Sequence, residues 1–264
     1  MGGGKQRLSA FEETDIEIVF EDNHLLCAVK PVGVLSQGDG SGSPDMLTLL
    51  KEYIKKKYGK PGDVYLGLVH RLDRPVGGIM VFGRTSKAAS RLSEQIRNRT
   101  FKKTYYAVLR GELPEDSGLL RNIIIKDHRV NTVKTLPYED LRGGKGSNVN
   151  GGGGASVNED VGVAELEFRK VDVVDNMTLV IINLVTGRPH QIRAQFSYHG
   201  YPVLGDRKYK GYARTDISGP ALWAHRIEFN HPVTKGIMTI KADMPDRYPW
   251  TLFNVRKLAD TEYS

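Results

Sequence analysis

Short apolar runs bounded by polar turns characterise the first half of the chain. Ile16 to Phe20 and Leu25 to Lys30 are rich in valine, isoleucine and leucine and are separated by the turn sequence EDNH. Two such runs at this spacing predict a β-hairpin. Gly77 to Arg84 predicts a buried strand, and Thr104 to Gly111 predicts another.

The second half of the chain repeats this pattern. Ala164 to Val174 partly alternates between apolar and polar residues, and Met177 to Val185 is almost wholly apolar. The short gap between them predicts two adjacent strands joined by a turn near Asp175 and Asn176. A final strand is predicted at Gly236 to Asp243.

Three helices are predicted from apolar spacing and end signals. Ser43 is the predicted cap of the first, which continues to Gly59, and Ser86 is the predicted cap of the second. The third opens at Pro189 and ends at Gly200. The apolar positions of the first two helices are Met46, Leu47, Leu49, Leu50, Tyr53, Ile54, Ala88, Ala89, Leu92 and Ile96.

Strands therefore outnumber helices, and several follow one another at hairpin length. This order favours an α+β fold in which helices and loops flank a largely antiparallel, mixed β-sheet. No linker separates two complete hydrophobic patterns, so we expect one domain over residues 16–258. Flexible tails are expected at 1–15 and 259–264, and a polar, glycine-rich surface loop at 143–158.

Composition narrows the classes of function. No apolar run is long enough for a membrane helix, and the N-terminus has no secretory signal, so a cytoplasmic protein with no membrane partner is expected. The formal charge of +7, from 38 Lys and Arg against 31 Asp and Glu, favours a polyanionic partner. Basic clusters interleaved with aromatic residues favour RNA; they are KEYIKKKYGK, RNRTFKKTYY and RKYKGYAR.

Common catalytic centres have no support in the motifs. The seven histidines form no HExxH motif and the single cysteine, Cys27, completes no zinc set, so no metal is expected. No GxSxG nucleophile elbow is present. Two other segments remain as candidates: HRLDR, which is His70 to Arg74, and TGRPHQIR, in which His190 and Arg193 share a helix face. Taken singly, Asp73 could instead pair with Arg71 at the surface.

Together these segments resemble the RluA-type family of RNA pseudouridine synthases. KPVGVLSQGD, beginning at Lys30, resembles the first motif of that family, and KTYYAVLRG matches its Lys-x-Tyr-x-Ala pattern. GYPVLGDRKY and LWAHRIEFNHP resemble its closing segments. The resemblance runs from Ile16 to the region of Pro245. It implies the pseudouridine synthase fold and an isomerase, an intramolecular transferase that converts uridines in structured ribosomal or transfer RNA to pseudouridine without a cofactor.

The resemblance also implies roles for individual residues. Asp73 would be the essential aspartate, acting either as a nucleophile or as a base near the anomeric carbon. Arg193 would be its ionic partner, and Tyr105 would lie against the target base. Arg74 would fill the space that the flipped uridine leaves. The further residues expected to bind substrate are His70, Arg71, Arg188, His190, Gln191 and Ile192.

Departures from the family and rival functions qualify this interpretation. Pro75, Val76, Gly77 and Gly78 stand where the family more often has a polar residue, Thr and Ser before Gly. Only about fifteen residues precede the first strand, so the N-terminal RNA-binding domain of many members is not expected. The rivals are a non-catalytic RNA-binding relative and a hydrolase of N-glycosidic bonds. A monomer is expected.

Overall fold

The computed structural model describes residues 16–127, 129–141, 160–211, 217 and 219–253. The predicted tails, the predicted glycine-rich loop at 143–158 and the predicted domain end at 258 lie outside these residues. In chain order the elements are β1 Ile18–Glu21, β2 Leu25–Lys30, α1 Met46–Tyr58, β3 Gly67–Leu68, β4 Gly77–Gly83, α2 Ser86–Arg97, β5 Lys102–Arg110, β6 Ser117–Asp127, β7 Thr132–Pro137, β8 Asp160–Val174, β9 Met177–Leu184, α3 Gln191–Tyr198, β10 Leu222–Asn230 and β11 Ile237–Lys241.

The strands form one mixed sheet with the order β1-β2-β4-β10-β5-β9-β8-β6-β7, to which β3 adds beside β4 and β11 beside β10. Among the described strands, β4 and β10 form the one parallel pair, and all other pairs are antiparallel. The predicted α+β fold with a largely antiparallel sheet is confirmed. β6, β7 and β10 are strands that the hydrophobic pattern did not predict.

Both faces of the sheet are covered. Along β5, Tyr105, Ala107 and Leu109 join a buried cluster with α1 and α3, whereas Tyr106 and Val108 join a second cluster with α2. This is the period-2 alternation of a strand with two buried faces. The face that carries α1 and α3 also carries Tyr105, so it holds the candidate site.

The helices begin slightly away from the predicted caps. Asp45, not Ser43, caps α1, because its carboxylate accepts a hydrogen bond from the Thr48 N–H. Thr85, not Ser86, caps α2 and accepts from Ala88. Each predicted cap lies one or two residues from the true one because aspartate, serine and threonine are all good caps, and the sequence offers several in a row.

Gly77 and Gly78 are required by the junction of β4 with β10. They pair with Trp223 and Ala224, and a side chain on Gly78 would place its Cβ 2.3 Å from the Ala224 carbonyl oxygen. Gly78 also has a φ of +120°, which side-chain-bearing residues rarely adopt. Gly77, which departs from the family pattern, and Gly78 therefore permit close contact between the two strands just after the Asp73 loop.

No helix within the described ranges has the length and apolar content of a membrane-spanning segment.

Candidate active site

Asp73 lies in the loop between β3 and β4, and two buried polar groups fix that loop. The Ser36 hydroxyl donates to the Leu72 carbonyl at 2.8 Å and accepts from the Leu72 N–H at 3.0 Å. The Lys30 ammonium donates to the Arg74 carbonyl at 3.1 Å and to the Val34 carbonyl at 2.5 Å. Residues on both sides of Asp73 are thus tied to the segment after β2, which limits the positions open to its carboxylate.

Lys30 is a fully buried lysine at the end of β2. Burial lowers its pKa to about 7, although the nearby negative charge of Asp73 acts in the opposite direction. Its carbonyl partners belong to the segment 31–34 and to Arg74, so the side chain links two loops that form one wall of the site.

Arg193, on α3, holds two carboxylates at once. Its Nη1 donates to Asp73 Oδ2 at 2.8 Å, while its Nε and Nη2 donate to the two oxygens of Asp206 at 2.6 and 2.9 Å. Burial disfavours the charged guanidinium, but the hydrogen bonds and charges of Asp206 and Asp73 raise the pKa of Arg193 above its ordinary value. Arg193 is therefore a permanent cation held in one orientation beside Asp73.

His190 approaches Asp73 from the same side as Arg193. Its Nε2 lies 3.8 Å from Asp73 Oδ2, and its Nδ1 lies 2.7 Å from the Tyr209 hydroxyl. That hydroxyl accepts from the Val133 N–H at 3.0 Å, so its own hydrogen is free to be donated to Nδ1. Burial lowers the pKa of His190 despite the opposing charge of Asp73. The neutral tautomer with hydrogen on Nε2, facing Asp73, fits these contacts.

His190 and Arg193 meet the same carboxylate even though His190 is not yet helical. It is the residue that precedes α3 and has a φ of 51°, in the left-handed region that histidine tolerates better than most residues. The two residues therefore do not share the helix face that their spacing predicted, but both side chains approach Asp73 Oδ2.

Tyr105 is buried behind the described lining of the cleft, close enough to Asp73 for the charge of that carboxylate to affect it. It belongs to one buried cluster with Leu72, Ile192 and Phe196. Burial raises the pKa of the Tyr105 hydroxyl, and the charge of Asp73 raises it further. The phenol therefore remains protonated next to an ionisable carboxylate.

Asp73, Arg193 and His190 lie in a cleft of about 1290 Å³. This volume exceeds that of a usual small-molecule pocket and suits part of a polymer. Cations outnumber acids along the described lining, which favours an anionic ligand. The ten basic residues are Arg71, Arg74, Arg99, Lys102, Lys103, Lys126, Arg188, Arg193, Lys208 and Arg226, and the four acidic residues are Asp39, Asp73, Glu167 and Glu228.

The three arginines predicted to bind substrate are exposed at this cleft. Arg71 and Arg74 flank Asp73 by one or two residues, and Arg188 lies in the loop before α3. The guanidinium of Arg74 donates to the Gly33 carbonyl at 3.0 Å, which holds it against the segment after β2. Their contact with substrate stays a prediction.

His70, Gln191 and Ile192 are buried instead. His70 Nε2 accepts from the Val81 N–H at 3.0 Å, and burial together with the charge of Lys103 lowers its pKa to about 3, so it is neutral. The Gln191 amide bonds to Thr186, Arg188 and Glu165, which fixes the loop before α3. These contacts position the walls of the cleft; their predicted contact with substrate is untested.

Sequence reasoning did not single out Lys30, Asp206 or Tyr209. Asp206 was the most accessible to prediction, because it is the one acid in GDRKYKGY and a buried arginine such as Arg193 needs a partner. Lys30 carried no such signal, since a lysine at the end of a strand is normally exposed. Within the described ranges, no three or more His, Cys, Asp or Glu side chains lie close enough to hold a metal ion.

Comparison with protein families gives a match over most of the site. A family model described as RNA pseudouridylate synthase matches residues 24–198. A protein named ribosomal large subunit pseudouridine synthase C, from Vibrio vulnificus, is 29% identical over 250 residues, which cover 91% of this chain and 70% of that protein. The protein of Pseudomonas aeruginosa named ribosomal large subunit pseudouridine synthase D is 28% identical over 260 residues, covering 93% and 73%.

Solved structures share the fold. Human RNA pseudouridylate synthase domain containing 4 superimposes with a TM-score of 0.67 at 21% identity, covering 92% of this chain and 93% of that one. Human RNA pseudouridylate synthase domain containing 1 gives a TM-score of 0.66 at 18% identity, covering 97% and 98%. At these identities the likeness shows the architecture of the sheet and its flanking helices.

Proposed function

The chain belongs to the RNA pseudouridylate synthase family and is an RNA pseudouridine synthase, and we propose that Asp73 carries out its chemistry on uridines of ribosomal RNA. The observation that carries this assignment is the Asp73 carboxylate, held at 2.8 Å by Arg193 and open to a basic cleft. Ribosomal RNA is favoured because the relatives in Vibrio and Pseudomonas are named for the large ribosomal subunit. Transfer RNA is the alternative substrate.

In this reaction the bond from ribose C1′ to uracil N1 breaks and a bond from C1′ to uracil C5 forms, so the hydrogen on C5 leaves as a proton and N1 takes up a proton. Asp73 is placed either to attack C1′ or to remove a neighbouring ribose proton. Arg193 favours the ionised carboxylate in both cases. Tyr105, protonated and packed beside Asp73, would contact the base and keep water out.

The position of Asp73 within a cleft requires the uridine to leave its stack. Unstacking costs a few kcal/mol, and the cations of the cleft offset part of that cost by binding phosphates. Arg74, exposed beside Asp73, would occupy the vacated position. We further propose that the enzyme acts as a monomer in the cytoplasm and uses no cofactor, because the isomerisation is redox-neutral and needs no group donor.

Release of tritium from RNA labelled at uridine C5 tests the proposed function. The wild type should release tritium without releasing free uracil, and Asp73→Asn should release none. Free uracil would identify a hydrolase of the N-glycosidic bond. Absence of release by the wild type, with intact RNA binding, would favour the non-catalytic RNA-binding relative.

A further inference from the structure

Lys103 is a partly buried cation that lines the cleft. It lies on β5 two residues before Tyr105, so both side chains leave the same face of the sheet. Its Nζ reaches the loop before α3, where it lies 3.1 Å from the position that a Cβ on Gly187 would occupy. This loop follows β9, the strand paired with β5, so the side chain extends along the cleft wall into a space left by a glycine.

Within the part of the chain that the structure describes, the ammonium of Lys103 has no counter-charge. Among the described residues, no carboxylate, carbonyl or hydroxyl forms a hydrogen bond or ion pair with it. Burial lowers its pKa, and no carboxylate offsets this effect. The nearby His70 side chain is neutral, so it provides no counter-charge for the Lys103 ammonium. A buried cation without a partner is costly unless a ligand completes the site.

The neighbouring Lys102 shows the contrast. It is exposed and pairs with Glu228 at 2.7 Å across the β5–β10 ladder. Lys102 and Lys103 are adjacent in sequence and both line the cleft, but one already has an acidic partner and the other lacks one. This difference favours Lys103 as the lysine that binds an anionic ligand.

We infer that the Lys103 ammonium binds a backbone phosphate of the RNA strand that carries the target uridine. This inference rests on the proposed function, because it assigns one contact of the RNA strand in the same cleft. A phosphate is the anion that every nucleotide supplies, and its contact would pull the strand toward the wall formed by Gly187. Lys103 and Asp73 line the same cleft, so one RNA strand can reach both side chains.

The test compares Lys103→Gln with the control Lys87→Gln, which changes an exposed lysine of α2 outside the described lining of the cleft. Binding of a fluorescent oligouridylate of about twelve nucleotides is measured as a function of KCl concentration. Loss of one phosphate contact should reduce the slope of log K against log[salt] by about 0.7, which is about fivefold weaker binding at roughly 0.1 M salt. The control should keep the slope of the wild type, and Lys103→Arg should restore it.

Two further measurements keep the inference falsifiable. Lys103→Gln should weaken the binding of oligoadenylate as much as that of oligouridylate, because a phosphate contact does not depend on the base. A loss of binding confined to oligouridylate would assign Lys103 to the uracil and overturn the inference. An unchanged salt slope in Lys103→Gln would also overturn it. Lys103→Met, which keeps the apolar stem, replaces the Gln variant if melting shows that the latter is unfolded.

Turnover measured in the same preparations distinguishes failure of the proposed function from failure of this inference. Under a saturating amount of C5-labelled RNA, Lys103→Gln should react at close to the wild-type rate, with the loss confined to KM. If the wild type gives no product, the proposed function fails, while the salt slopes still decide whether Lys103 binds phosphate.

Discussion

Two carboxylates share the guanidinium of Arg193, and their surroundings differ in every other respect. Asp206 is fully buried and accepts from Arg193 through both oxygens, as well as from the backbone N–H groups of Lys208 and Tyr209. The Asp73 side chain is 26% exposed, and within the described part of the chain only Oδ2 accepts hydrogen bonds. Oδ1 is left to the cleft.

The difference separates structure from chemistry. A carboxylate with all of its lone pairs occupied has no capacity to attack a carbon or take a proton, whereas one with a single strong donor is ionised and still reactive. Asp206 holds Arg193, and Arg193 in turn orients Asp73. The buried acid thus serves the exposed one without touching the substrate.

Replacing the exposed carboxylate should give the largest effect on turnover. Asp73→Asn removes the reactive charge, so we expect product formation to fall by roughly 10⁴-fold or more in the tritium-release assay. RNA affinity should stay within a few-fold. Because Asp73 is partly exposed, the free energy of unfolding should change by no more than about 1 kcal/mol. Substantial residual turnover would remove Asp73 from its assigned role.

Replacing the buried carboxylate should instead affect stability more than turnover. Asp206→Asn keeps the shape but removes the main counter-charge of a buried arginine, so we expect a loss of about 3 kcal/mol in urea-induced unfolding. Turnover should fall less than in Asp73→Asn, because Arg193 can still pair with Asp73. A variant of Asp206 as stable as the wild type would show that the two carboxylates are energetically alike.

Tyr105 is affected by Asp73 and not by Asp206. Burial and the charge of Asp73 raise the pKa of the Tyr105 hydroxyl, and Asp206 is not among the causes. Tyr105→Phe retains the packed ring and loses the hydroxyl, so we expect turnover to fall by about 10²-fold, as for loss of a proton-transferring group, with RNA binding unchanged. Near-normal single-turnover yield would make the hydroxyl dispensable and leave packing as its function.

Acid should lower the stability of the protein through His70, which lies in the same loop as Asp73. Burial and the charge of Lys103 lower the pKa of His70 to about 3, while the unfolded chain titrates near 6.5. The unfolded state therefore binds the proton first as the pH falls below 6.5, and stability present above that pH is lost. Between pH 7 and 5 this group should cost about 2 kcal/mol in urea-induced unfolding.

His70→Gln supplies the control for this pH dependence. The Gln carbonyl can accept from the Val81 N–H as the imidazole does, but it does not titrate. Between pH 7 and 5, the free energy of unfolding should change by about 2 kcal/mol less in His70→Gln than in the wild type. An equal pH dependence in both proteins would assign the effect to other groups.

The sequence predicted the parts of the fold that depend on local pattern. The hairpin of β1 and β2, the buried β4 and the pairing of β8 with β9 follow from runs of apolar residues and their spacing. β10 was missed as a strand because its alternation is interrupted by Trp223, His225 and Arg226, whose setting is determined by distant β4 and β5. Such tertiary contacts override local pattern.

The candidate site divides in the same way. Asp73, Tyr105 and Arg193 lie in motifs that resemble a known family, and the structure brings Asp73 and Arg193 into contact. Asp206 and Lys30 gain their importance through partners outside their own motifs: Arg193, thirteen residues before Asp206, and Arg74, which Lys30 contacts in addition to Val34. No spacing rule encodes those partners, so they emerge only once the chain is folded.

The place of β10 in the sheet has a consequence for synthesis on the ribosome. β10 is made after β1–β9, yet it lies between β4 and β5 and joins the two halves of the sheet. The Asp73 loop belongs to one half and Tyr105 to the other. A nascent chain that ends before Leu222 lacks the strand that sets their spacing. The two halves of the site therefore take their final spacing only after β10 has been made, however well the separate halves have folded before.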